Sequence, residues 1–144
     1  MDYLEIKKRH QDEINRFPMF FAFNDRQFKE GMARLGLEPT DTDKIYKLAD
    51  TGGFYRRDDA ARLKEMLDRH EEERRSAIHS DNTGEGYIYQ MFAYELANHE
   101  YIITGSVDDT LRAVGISPEE VTHSPQLRHG LEKAIMAQVG PEGG

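Results

Sequence analysis

A mainly α-helical fold is predicted, a single compact multi-helix domain around a central apolar helix at about residues 86–100, and three observations predict it. Apolar residues recur at helical spacing through most of the chain. Prolines and glycines stand where helices start and stop, at Ser117-Pro118, Ser124-Pro125, Gly36, Gly115 and Gly140. Strand-like runs are few and short, leaving room for one or two very short strands.

The elements follow in order. Asp2 can cap a first helix to about Arg16 carrying Leu4, Ile6 and Ile14, which Pro18 ends. Met19 to Phe23 is a continuous apolar run, either a strand or an extended buried segment. Asn24 or Asp25 caps the next helix, striped by Phe28, Met32 and Leu35 and stopped at Gly36. Asp41 to Asp50 reads as a further capped helical segment with Ile45 and Leu48 apolar, and Gly52-Gly53 as a turn. A long helix from Asp58 or Asp59 to about His79 carries a narrow stripe of Leu63, Leu67, His70, Arg74 and Ala77, flanked by Met66 and Ile78. Glu65/Arg69 and Glu71/Arg75 are favourable i, i+4 pairs on it.

After the loop Asp81 to Gly86 comes the most apolar segment, Tyr87 to Ala97, apolar on nearly all sides and therefore central and buried. Tyr101 to Thr104 suits a short strand. Ser106 with Asp109 reads as a capping-box variant opening a helix through Leu111 and Val114. The last helix carries Leu127, Leu131 and Ile135, and residues 141–144 are a frayed tail beyond a domain spanning 1–140. The pattern from Phe28 to Leu48 recurs 79 residues later from Val107 to Leu127, either a duplicated helical hairpin or a product of capping rules alone.

The chain's 144 residues contain no cysteine, which removes disulfides, thiolate nucleophiles and Cys-ligated metal from consideration. No window approaches a membrane span and the N-terminus lacks a signal-peptide core, so a cytoplasmic protein is expected. The net charge is −8, and residues 81–144 alone carry 3 Lys/Arg against 10 Asp/Glu. Such a balance disfavours direct nucleic-acid binding, which depends on neutralising phosphates, and suits solubility or a basic protein partner.

Glu95 is the one charged side chain between Glu85 and Glu100, within the helix expected to be buried. It must find a cation, accept strong hydrogen bonds or become neutral. Arg56, Arg57, Arg74 and His99 are the candidate cations. With Asn98, His99 and Glu100 it forms a polar cluster whose first reading is structural. The alternative is a Glu-x-x-x-His pair presenting two ligands to a metal, although two ligands do not complete a site. No metal or cofactor is expected, and no catalytic signature is recognised.

Phe20-Phe21-Ala22-Phe23-Asn24 with Gln27-Phe28, Gly52-Gly53-Phe54 with Arg56, and Tyr94-Glu95-Leu96 with Asn98 to Tyr101 together resemble a family of small uncharacterised proteins of phages and mobile elements of gut bacteria. The resemblance covers roughly residues 17–116 and supplies no activity or site residue. It implies a small intracellular protein of a mobile element. Two classes then compete, beside a purely structural module. The preferred one is an acidic, non-enzymatic binding protein that regulates or inhibits a host nucleic-acid-handling or defence enzyme, with Asp108, Asp109, Glu119 and Glu120 as partner-binding candidates. The other is a metal-dependent enzyme built on Glu95 and His99.

Overall fold

The computed structural model describes residues 2–140. The segment expected to fray, 141–144, lies outside the described residues. The fold is mainly helical, with eight helices and one small antiparallel sheet among the described residues. In chain order they are α1 (Tyr3–Arg16), β1 (Met19–Phe21), α2 (Asp25–Arg34), β2 (Ile45–Leu48), β3 (Gly53–Arg56), α3 (Ala60–His79), α4 (Tyr87–Asn98), α5 (Tyr101–Thr104), α6 (Asp108–Val114), α7 (Pro118–His123) and α8 (Pro125–Val139). Two compact units result, one formed by the chain up to His10 together with the chain from Glu72 onward, the other by Gln11–Glu71.

The first unit is organised by α4. Ile88, Met91, Phe92 and Leu96 are fully enclosed, packed with Tyr3 and Ile6 of α1, Leu111 and Val114 of α6, and Leu127, Leu131 and Ala134 of α8. A helix apolar on every side is buried on every side, as its sequence requires. Its N-terminus is held by Asp81, whose carboxylate accepts from the backbone N–H groups of Thr83, Gly84, Gly86 and Ile88. Burial alone raises the pKa of a carboxyl, but these backbone donors outweigh it and hold Asp81 below its ordinary value. The approach of α4 to α8 is close enough to require glycine. A Cβ on Gly130 would lie 2.5 Å from the Ile88 side chain and 2.6 Å from the Gly84 carbonyl. Gly84, at φ +82°, would place its own Cβ 2.2 Å from the Gln126 carbonyl oxygen.

The second unit is built on the sheet, in the order β1-β3-β2. Phe20 opposes Phe54 across the β1–β3 pair, and the two rings stack at 5.3 Å over Phe28 and the buried Met32 of α2. Asn24 caps α2 by accepting from the Gln27 N–H at 2.9 Å. Arg56 at the end of β3 donates to Asp59 at 2.8 Å and to the Leu35 carbonyl at 3.3 Å, tying the strand to the start of α3 and the end of α2.

Several expectations are corrected. Residues 41–50 are not a helix: a single 3₁₀ turn at Thr42–Lys44 leads into β2, which pairs with β3 through the turn at Gly52. The spacing of Ile45 and Leu48 imitates a helix, but cross-strand pairing decides the outcome. A helix–glycine–helix repeat is therefore absent from the first of the two similar segments. Tyr101–Thr104 is a helical turn rather than a strand, bounded by Glu100 at φ 55° and Gly105 at φ 67°. No side-chain cap opens α6; Ser106 accepts from the Asp108 N–H, and Asp109 pairs with Arg112 instead of closing a box. On α1 the buried face is Tyr3, Ile6 and His10, with Leu4 exposed, and on α3 it is Leu63, Met66 and His70, with Leu67 exposed.

Candidate functional site

Glu95 sits on α4 with 3% of its surface exposed. Its Oε1 accepts a 2.6 Å hydrogen bond from the Tyr3 hydroxyl and a 3.1 Å bond from the Lys7 ammonium. His99 Nε2, one turn further along α4, stands 3.5 Å from Oε2. Tyr3 and Lys7 are one turn apart on α1, so both reach the same carboxylate. The Lys7 ammonium also lies over the Tyr3 and Tyr94 rings, 5.9 and 5.5 Å from their centroids. The hydroxyl of Tyr3 is held far above its ordinary pKa, first by burial and then by its bond to the Glu95 carboxylate. Thr110 completes the surround by donating to the Glu95 carbonyl at 3.3 Å.

Chemically this is a neutralised buried carboxylate in which one oxygen serves two donors. The cation is Lys7, which was not among the expected partners. Arg56 instead serves Asp59 and the Leu35 carbonyl, and Arg57 lies over the Tyr46 ring at 4.5 Å. Lys7 stands within the charged run Lys7-Lys8-Arg9, which reads as a solvated face, and 88 residues separate it from Glu95. No local periodicity reports such a pairing. Asn98 and Glu100 are exposed and stay apart from the carboxylate's bonds. Among the described residues no group of three or more His, Asp and Glu is placed to hold one metal ion.

The four acidic candidates for a partner surface do not behave alike. Glu120 is engaged twice, in the capping box with Ser117 and in a 2.5 Å pair with Arg75, which also donates to the Gly115 carbonyl. The Arg75 hydrogen bond is the main reason its carboxyl lies below the ordinary range. Asp109 is exposed and paired with Arg112. Asp108 and Glu119 are exposed in the first turns of α6 and α7.

Sequence reasoning missed an apolar pair on α5. On α5, Ile102 is 61% exposed and Ile103 78% exposed. Two adjacent β-branched residues suggested a strand; the left-handed residues on either side turn them outward on a single helical turn instead. Glu100 precedes this apolar knob, and Asp108 and Asp109 follow it within the next few residues.

No helix among the described residues is long and apolar enough to cross a membrane. A model of a family of unknown function, DUF7659, matches residues 2–137. The match extends beyond the motif-bearing stretch of 17–116 to take in α1 and nearly all of α8. No curated protein and no solved structure matches the chain.

Proposed function

The chain belongs to the DUF7659 family of unknown function, and we propose that it is a binding protein whose α5 knob docks into an apolar pocket on a basic protein partner. The observation that carries this reading is the exposure of Ile102 and Ile103, with Glu100 before them and Asp108 and Asp109 after them along the chain. Exposed apolar side chains supply desolvation at the centre of an interface, and charges at its rim set encounter rate and partner choice. In this reading Glu100, Asp108 and Asp109, which flank the knob along the chain, and the exposed Glu119 supply the charge. Glu120 belongs to the scaffold that holds α7. The partner is a protein rather than nucleic acid, because a chain of net charge −8 repels phosphates. A nucleic-acid-handling or defence enzyme is the class we favour, since its basic channel complements these acids. The setting in a mobile element rests on the sequence resemblance alone.

The geometry around Glu95 supports a structural role for that residue, because Tyr3 and Lys7 already occupy one oxygen and fix the other's direction. The experiment is capture from a host-type lysate with the wild type, Ile103→Asp and Asp108→Lys/Asp109→Lys. A protein retained by the wild type and lost with both variants supports the reading. Identical captures by all three folded proteins would refute it.

A further inference from the structure

The second unit holds a groove of about 440 Å³ between the end of α1 and one face of α3. Glu13, Arg16, Phe17 and Pro18 line it from the first side; Arg62, Glu65, Met66 and Arg69 line it from the second. The α3 residues recur at i, i+3, i+4 and i+7, so they share one helix face. Its volume falls within the ordinary range for small-ligand sites, about 300–1,000 Å³.

The charges in it are not equivalent. Arg69 forks onto Glu13 at 2.9 and 2.6 Å, with His70 Nε2 3.2 Å from the same carboxylate. The Arg69 hydrogen bond chiefly, and His70 after it, bring the Glu13 carboxyl down to about 2, so this ion pair is closed and serves as a wall. Arg62 gives one donor to Asp59 at 3.1 Å and lies over the Phe17 ring at 5.5 Å, with 65% of its side chain exposed. The guanidinium of Arg16 is exposed and makes no ion pair with any described residue. Glu65 is the remaining acid on the wall. The open functions are thus one whole guanidinium, part of a second, an apolar floor of Phe17, Pro18 and Met66, and a carboxylate able to accept from a hydroxyl or amine.

We propose that this groove binds a small aromatic oxyanion, an aryl phosphate or aryl carboxylate. Its ring lies on the Phe17–Pro18–Met66 floor beside Arg62, and its anionic group meets Arg16. Guanidinium matches either oxyanion through paired N–H donors, and its planar face also stacks on rings. Neither component suffices: a bare anion gains little from an exposed arginine, and a neutral ring leaves Arg16 unused.

Calorimetric titration of the full chain with phenyl phosphate, benzoate, inorganic phosphate and benzyl alcohol tests this. Saturable 1:1 binding of phenyl phosphate or benzoate is expected, at least about tenfold tighter than inorganic phosphate or benzyl alcohol; the tighter of the two names the oxyanion. Arg16→Ala and Arg62→Ala, both surface changes, should each weaken it about tenfold. Phe17→Leu should narrow the gap between phenyl phosphate and inorganic phosphate. Equal binding of inorganic phosphate, unchanged affinity in Arg16→Ala, or no saturation by about 10 mM would each overturn the proposal.

Discussion

At the scale of single residues, Tyr3 shows how a buried charge is made tolerable. Hydrogen bonds to charged groups contribute about 1.5–3 kcal/mol, and removing one partner leaves the other underserved. Tyr3→Phe should therefore lower unfolding stability by about 1.5–3 kcal/mol in urea titrations at neutral pH. A value under about 0.5 kcal/mol would mean that Lys7 alone satisfies Glu95. The same bond has a pH signature. The folded pKa of Tyr3 lies above its unfolded value of 10.0, so the stabilisation is complete below about pH 10 and is lost as pH rises beyond it. Tyr3→Phe should flatten that alkaline decline. Glu95 was legible as an anomaly, because a lone acid in an apolar helix demands a partner. His99, one turn on, was legible as a neighbour and stands 3.5 Å away, but Tyr3 and Lys7 were not, because nothing near residue 95 encodes contacts with residues 3 and 7.

Among the elements, α4 and the proline-capped helices α7 and α8 were legible because their signals are local. Ser117 and Ser124 cap as written, and Asp2 opens α1 by accepting from the Glu5 N–H. The sheet was legible only in part. Met19 to Phe21 satisfied both strand and extended-segment readings, while β2 and β3 depend on pairing that no periodicity displays. The tight approach of α8 to α4 was equally hidden, since a glycine in α8 looks like a weakness until Ile88 and Gly84 are seen against it. Gly130→Ala should cost about 1–3 kcal/mol through overpacking. Gly84→Ala should cost about 1 kcal/mol more, since it also forces a left-handed backbone on a residue with Cβ. Thermal melts of the two variants check the order. If Gly130→Ala melts as the wild type does, α8 has slid without cost and the tight approach is not a constraint.

For the whole molecule, charge is distributed by unit. Residues 1–10 and 72–144 carry 8 Lys/Arg against 14 Asp/Glu, whereas residues 11–71 carry 11 against 13. The unit with the exposed isoleucines is the strongly acidic one, and the unit with the arginine groove is close to neutral. Association with a basic partner should therefore slow markedly as salt rises, because screening shortens the reach of surface charge to about 8 Å at physiological ionic strength. Stopped-flow rates at low and high salt would show it; a salt-independent rate would leave the isoleucines as the sole determinant and the acids as solubilising groups. The two outer strands of the sheet carry a different consequence, one of storage and handling. A three-stranded sheet ordered β1-β3-β2 has two open sides, each a template for another chain. Pro18 stands immediately before one of them and Lys47 lies within the other, residues that discourage such pairing. Changes made at these two positions for any other purpose remove a safeguard against fibril formation in concentrated stocks.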